Sequence, residues 1–235
     1  MKNIHQKLRT LVILAFLSGT SGLFAQTWVD TLYDYTQTTV VYGTATDFAG
    51  NSRELHLDIC VPNGDVPPAC GRPVFVAVHG GAFLGGTKND PTPQQWMKDF
   101  AKRGYLTASV EYRLGFFQPA AEIHCNVTNL FGFPWDCINA ADTSEWIRAG
   151  YRAMQDTKGA IRYLLANSAL YGGDPNNVFL AGESAGGFVA LGTAFTDLDA
   201  DKPLDAGAIA PAQTPNTIYN GFCVQTFGWD TSIAS

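Results

Sequence analysis

Val178-Phe179-Leu180-Ala181-Gly182-Glu183-Ser184-Ala185-Gly186-Gly187-Phe188-Val189-Ala190-Leu191 decides how this chain is read. An apolar run, a glycine-flanked serine and a second apolar run predict strand, sharp turn and helix, with Ser184 at the apex. A serine on such a turn sits in a crowded, strained backbone. The residues two before and two after it must be small enough for neighbouring chain to pass, which Gly182 and Gly186 satisfy. Gly-x-Ser-x-Gly alone is a weak signal. With this strand on one side and this helix on the other, it points to a serine nucleophile.

Upstream, Pro73-Val74-Phe75-Val76-Ala77-Val78 reads as a buried parallel strand. It runs into His79-Gly80-Gly81-Ala82-Phe83, then Leu84-Gly85-Gly86. Glycines there free the backbone so that N–H groups turn into a cavity. Donors so placed serve as an oxyanion hole, aimed at charge that develops only in the transition state.

With these two motifs the chain resembles the α/β-hydrolase superfamily, on its carboxylesterase and hormone-sensitive-lipase side. Three segments carry the resemblance: His79-Gly80-Gly81-Ala82; Ser109-Val110-Glu111-Tyr112-Arg113-Leu114; and Gln155-Asp156 through Tyr171-Gly172-Gly173-Asp174-Pro175 to the Ser184 turn. It spans roughly residues 38–215. The resemblance implies Ser184 as nucleophile and the backbone N–H groups of Gly81, Ala82 and Ala185 as oxyanion donors. It implies that His79 holds the shape of the oxyanion loop. The family often has a third glycine where this chain has Ala82, a change that keeps the backbone donor. Glu183, Arg113 and Asp156 match family positions and are expected to have structural roles.

The first 25 residues read as a targeting segment. Lys2, Lys7 and Arg9 form a basic region, Leu11 to Leu17 a short apolar core, and Ser18 to Ala25 a run of mostly small residues with a cleavage point after Ala25. The apolar run is shorter than the ~20 residues of a membrane span. The chain is therefore expected to be secreted or periplasmic, with no stable membrane insertion. Residues 26–235 suffice for one domain with a substantial core. Taking the three basic residues of the leader from the 15 in the chain leaves 12 against 21 acidic ones, a net charge of −9. No basic stripe exists to neutralise phosphates, which argues against a nucleic-acid partner. Oligomeric state is not legible.

Export favours disulfides over free thiols. Of Cys60, Cys70, Cys125, Cys137 and Cys223, the first two flank one loop and the next two another. Cys60–Cys70 and Cys125–Cys137 are the expected pairs, with Cys223 left over; spacing alone does not fix the connectivity. No C-x-x-C pair occurs and His124 stands alone beside Cys125, so neither a metal nor a cofactor is expected.

Along the chain, Thr38–Thr46 and Glu54–Val61 read as strands. In the second, Leu55, Leu57, Ile59 and Val61 alternate with His56, Asp58 and Cys60, predicting one buried face. Helices are expected at 93–103, 145–167 and 185–195. Further strands are expected at 106–112, 178–181 and 206–210. Alternating strand and helix after an initial hairpin predicts an α/β fold with a mostly parallel sheet and helices on both faces. Residues 115–144 break the rhythm as an aromatic, cysteine-bearing insertion, read either as a pocket-shaping element or as a stapled surface excursion. It contains the sequon Asn126-Val127-Thr128.

A serine nucleophile needs a base and a carboxylate to orient it, and in this fold the chain order is Ser, Asp or Glu, then His. The four histidines, His5, His56, His79 and His124, all precede Ser184. The carboxylates after it are Asp197, Asp199, Asp201, Asp205 and Asp230. The expectation is an N-terminal portion of a longer hydrolase, lacking its last strands, whose acid and base lie beyond Ser235 and which is inactive alone. Its substrate would be a small-molecule or polysaccharide-linked carboxylic ester, with acetyl and feruloyl esters the guess by analogy. Two alternatives stay open: a serine peptidase of the prolyl-oligopeptidase type, and a non-catalytic α/β-hydrolase-like binding domain.

Overall fold

The computed structural model describes residues 29–47, 51–64, 66–115, 143–196, 201–204 and 206. Outside these lie the leader 1–25, most of the insertion with His124, Cys125, Cys137 and the sequon, the expected strand 206–210 beyond Ala206, Cys223, and Asp197, Asp199, Asp205 and Asp230.

Among the described residues five strands form one sheet: β1 (Tyr35–Thr46), β2 (Ser52–Pro62), β3 (Arg72–Val78), β4 (Leu106–Val110) and β5 (Gly173–Gly182), ordered β1-β2-β4-β3-β5. β1 and β2 make the expected hairpin, with Val40 opposite Leu57 and a register shift between Val41 and Gly43. β2 also pairs antiparallel with β4, whereas β3 pairs parallel with both β4 and β5. The fold is α/β, and among the described strands the parallel half is the half that carries the site. Helix α1 (Pro91–Ala101) connects β3 to β4; α2 (Thr143–Ala166) and the single turn α3 (Ser168–Tyr171) precede β5; α4 (Ala185–Phe195) follows it. Pro91 stands in the first turn of α1, where a missing N–H costs nothing.

Apolar residues of β2, β3 and β4 face α2. Leu57, Ile59, Val74, Val76, Leu106, Ala108 and Val110 pack with Ala160, Ile161 and Leu164 into one core. The other face carries α1, where Met97 and Ala101 cover Cys60 and Phe100 stacks on Phe75 with ring centroids 4.0 Å apart. Helices thus cover both faces.

That second layer corrects the expectation of a single buried face on β2: Asp58 and Cys60 are as buried as Leu57 and Ile59. Asp58 survives there because it is fully partnered. Lys88 Nζ lies 3.0 Å from it, and Thr39 Oγ1 and Gln94 Nε2 donate to it at 2.6 and 2.9 Å. His56 is half-exposed, 3.5 Å from Glu54, as expected for a surface or edge position.

The expected Cys60–Cys70 bridge is absent: both thiols are free. Cys60 points into the layer under α1 while Cys70 sits exposed in the turn before β3, so the two occupy different environments. Burial pushes the Cys60 thiol up to about 12, which makes it inert.

β5 is longer than its apolar run. It starts at Gly173 because Asp174 accepts from the Asn176 N–H and Asn177 Nδ2 at 2.9 and 2.5 Å, and Arg72 N donates to Gly172 O at 2.7 Å, extending the ladder over polar residues. β4 is shorter than expected. It ends at Val110, and Tyr112 leaves the sheet to pack beneath the loop after β3.

Candidate active site

Because β3 pairs with β5 in register, Val78 opposite Gly182, the chain leaves both strands side by side at their carboxyl ends. Crevices at such ends are where open parallel sheets place their ligands. His79–Phe83 emerges from β3 and the Glu183–Ser184 turn from β5, joined by a 3.2 Å bond from Glu183 N to Val78 O. A Cβ on Gly80 would lie 3.3 Å from Ser184 Cβ, so loop and turn are in direct contact. Gly186 is there for the same closeness: a side chain on it would run into the carbonyls of Val78 and His79.

Ser184 has φ 52° and ψ −117°. Among the described residues, the non-glycine residues with positive φ are Ala82, Phe83 and Ser184, at 52°, 59° and 52°. Each such conformation costs about 1–3 kcal/mol and persists only where the surroundings fix it. All three lie in the two touching segments. The serine side chain is exposed at the start of α4, whose first turn is tightened by bonds from Gly186 N to Glu183 O and Gly187 N to Ser184 O at 2.8 and 2.9 Å.

Four carbonyls of the loop, those of His79, Gly80, Gly81 and Phe83, are occupied. Gly81 O accepts from Leu84 N and Gly85 N at 2.9 and 3.0 Å, and Phe83 O accepts from Gly115 N at 2.7 Å. Gly80 O lies 2.7 Å from His79 Nδ1, which must carry the proton because a carbonyl only accepts. Among the described residues no backbone carbonyl accepts from the N–H of Gly81, Ala82 or Ala185. These are three donors in the two adjoining segments.

His79 is fully buried and stacks on Tyr112, ring centroids 4.2 Å apart and planes 7° apart. Burial holds its imidazole below the usual histidine range, with the bond to Gly80 O opposing the shift. The ring is therefore neutral and committed to its own loop. His56 lies on β2, with β4 and β3 between it and β5. Among the described residues no histidine is hydrogen-bonded to Ser184, and no group of three or more His, Cys, Asp or Glu is placed to hold a metal ion. Glu183 is exposed beside Ser184. Arg113 and Asp156 form a buried pair behind the site, with Nη2 2.7 Å from Oδ1.

Two features were not anticipated. Tyr112 donates its hydroxyl to His79 O at 3.0 Å and reaches Gly80 O at 3.4 Å. Lys88, at the far end of the loop, is anchored on Asp58, and its carbonyl accepts from Ser109 Oγ and Gln94 Nε2 at 2.7 and 2.9 Å. The charged Asp58 in the second half of β2, among Leu57, Ile59 and Cys60, was the one available signal for the second. Nothing marked the Tyr112 hydroxyl.

The sheet, the strand-turn-helix serine and the glycine loop define an α/β-hydrolase of the carboxylesterase kind. The chain belongs to the BD-FAE family, whose model matches residues 57–125 and 148–228. A secreted lipase (lipase 5) of Gibberella zeae is 30% identical over 172 residues, covering 70% of this chain and 28% of the lipase. A chlorogenic acid esterase of Aspergillus niger is 28% identical over 176 residues, covering 73% of this chain and 29% of that enzyme. The chain thus spans less than a third of either relative's length. Among solved structures, a thermophilic esterase of Thermogutta terrifontis aligns with TM-score 0.43 and 24% identity, over 67% of this chain and 43% of the esterase.

Proposed function

We propose that this protein is an exported serine esterase that cleaves carboxylic esters through an acyl-enzyme. One observation carries the reading: the only non-glycine residues in strained positive φ among the described ones are a serine at a strand-to-helix turn and two residues of the glycine loop touching it. A domain that merely binds has no need of that strain. Ser184 Oγ attacks the ester carbonyl carbon. The carbonyl oxygen becomes an alkoxide held by the N–H groups of Gly81, Ala82 and Ala185, each donor worth about 3 kcal/mol in comparable sites. Collapse expels the alcohol, which takes up the proton from Ser184 through a general base, and water then releases the acid. The base and its orienting carboxylate come from residues outside the described ones. His79 supports the loop and takes no proton from Ser184, since its Nδ1 already carries one toward Gly80 O and its Nε2 is buried with no hydrogen-bond partner among the described residues.

For substrate, we propose esters carried on plant polysaccharide, acetyl or feruloyl. The family resemblance supports this, as does the presence of a chlorogenic acid esterase among the relatives. Export is supported by the basic and apolar leader and by a relative that is a secreted lipase. The test uses the protein expressed from its complete gene. It should hydrolyse p-nitrophenyl acetate with an initial burst, and Ser184→Ala should lower kcat by roughly 10⁴ to 10⁶. Turnover surviving Ser184→Ala refutes the site. A preference for peptide over ester substrates refutes the reaction.

A further inference from the structure

We infer that Tyr112 is a positioning residue for the oxyanion hole: its buried hydroxyl, reaching the carbonyls of His79 and Gly80, aims the Gly81 N–H at the Ser184 turn. The inference rests on the esterase reading and adds to it a residue that touches no substrate.

The argument begins with the planarity of the peptide unit. In a trans peptide the C=O of one residue and the N–H of the next point in opposite directions within one plane. Whatever holds the Gly80 carbonyl therefore sets the direction of the Gly81 N–H, and whatever holds the Gly81 carbonyl sets that of Ala82. The Gly81 carbonyl is held by the loop itself, through Leu84 N and Gly85 N. The Gly80 carbonyl has no backbone donor among the described residues. It is held by side chains, His79 Nδ1 at 2.7 Å and Tyr112 Oη at 3.4 Å. Gly80 and Gly81 together carry the least backbone restraint in the segment, with Gly81 at φ 107°. Without a clamp this peptide unit is free to rotate, and one of the three donors is lost or misdirected.

Tyr112 is built as a fixed post for that clamp. Its chain neighbours are both anchored to the rest of the fold: Glu111 N donates to His56 O at 3.1 Å, Tyr42 Oη donates to Glu111 O at 2.7 Å, and Arg113 N donates to Asp156 Oδ2 at 2.8 Å. Its ring is buried, stacked on His79 and edge-on to Phe83 at 6.5 Å between centroids. Burial raises the phenol well above its ordinary value, so the group stays a donor throughout the working pH range. The hydroxyl donates to the His79 carbonyl and also reaches the Gly80 carbonyl, so one oxygen atom meets two successive peptide units, His79–Gly80 and Gly80–Gly81.

The experiment compares Tyr112→Phe with the parent protein, both expressed from the complete gene. The substitution removes only the hydroxyl and keeps the ring that stacks on His79. Active sites are counted by stoichiometric labelling with a fluorophosphonate, so partial unfolding lowers the number of sites and leaves kcat per site unaffected. The expected result on p-nitrophenyl acetate is a kcat per site lower by about tenfold, less than the 10²–10³ lost when a donor is removed outright, with KM within about twofold. Phenylboronic acid, whose tetrahedral adduct places an oxygen in the hole, should bind weaker by a similar factor, while acetate inhibition is unchanged. A kcat per site within twofold of the parent, or a loss carried by KM alone, overturns the role of Tyr112 and leaves the esterase reading intact. Absence of turnover in the parent, or turnover surviving Ser184→Ala, overturns the esterase reading and the inference with it.

Discussion

Asp156→Asn is the substitution with the largest expected effect on stability. Asp156 receives four donations from one residue: Arg113 N at 2.8 Å, Arg113 Nε at 3.0 and 2.9 Å to its two oxygens, and Arg113 Nη2 at 2.7 Å. The carboxylate side chain is 0% exposed and the guanidinium 1%. Asparagine keeps the shape but removes the charge and turns an amide NH₂ toward a cation. An uncompensated buried guanidinium costs about 3–5 kcal/mol. Against a typical total of about 5–15 kcal/mol, that is a fifth or more of the stability. For a domain of this size it corresponds to a loss of roughly 6–20 °C in Tm. Urea unfolding of the parent, Asp156→Asn, Arg113→Met and the double variant, on protein from the complete gene, closes the cycle. The two single costs should exceed the cost of the double by more than 1 kcal/mol, because each single change strands a partner that the double removes. Arg113 Nη1 also donates to Thr46 O at 2.7 Å, so the double variant keeps a residual cost of its own. Additivity within about 0.5 kcal/mol, or a cost of Asp156→Asn below 1 kcal/mol, refutes the pairing argument.

Burial depresses the His79 imidazole, so its contribution to stability is fully present above the unfolded value of about 6.5 and is lost as pH falls through the lower folded value. An NMR titration should find the His79 midpoint below that of an ordinary histidine, with the proton on Nδ1 in the neutral form; a midpoint at or above the ordinary value contradicts the burial argument. Iodoacetamide should alkylate exposed Cys70 in the native protein and reach Cys60 only after unfolding. A Cys60–Cys70 peptide in a non-reducing digest overturns the free-thiol assignment.

What could be read from the chain follows from which physics is local. α4 was legible to the residue at both ends, 185–195, because its start is dictated by the serine turn and its end by the close of the apolar run. β3 was legible for a related reason: a strand buried on both faces is an unbroken apolar run, and Pro73 to Val78 is one. β5 was read as four residues because Asp174, Asn176 and Asn177 look like a loop. Their side chains bond within the strand's first turn, a pattern that only the fold supplies. The alternation in β2 was read as one buried face because Asp58 is charged. Its cation, Lys88, comes from thirty residues away, and a buried carboxylate with a distant partner cannot be told from a surface one by period alone. The Cys60–Cys70 pairing failed likewise, since loop proximity in sequence says nothing of which side of the sheet a thiol faces. Of the candidate site, the serine and the glycine loop were legible as motifs. The support under the loop was not, because Tyr112 reads as one more strand residue until β4 ends at Val110.

The strain at the site and the polar contacts behind it are one arrangement. Ala82, Phe83 and Ser184 together hold several kcal/mol of unfavourable backbone conformation at about 1–3 kcal/mol each. A loop free to relax would lose that geometry. This one is fastened at several points: Gly80 O by His79 and Tyr112, Gly81 O by Leu84 and Gly85, Phe83 O by Gly115, and Lys88 by Asp58, Ser109 and Gln94. Every fastening takes a carbonyl or a charge and leaves the N–H groups of Gly81 and Ala82 without a backbone acceptor among the described residues. Since each carbonyl fixes the direction of the next N–H, securing the acceptors is what pre-aims the donors. The Arg113–Asp156 pair extends the same logic one layer back, by fixing the backbone on one side of Tyr112. Loss of that pair should therefore show in kcat per active site as well as in Tm, although neither residue is hydrogen-bonded to Ser184.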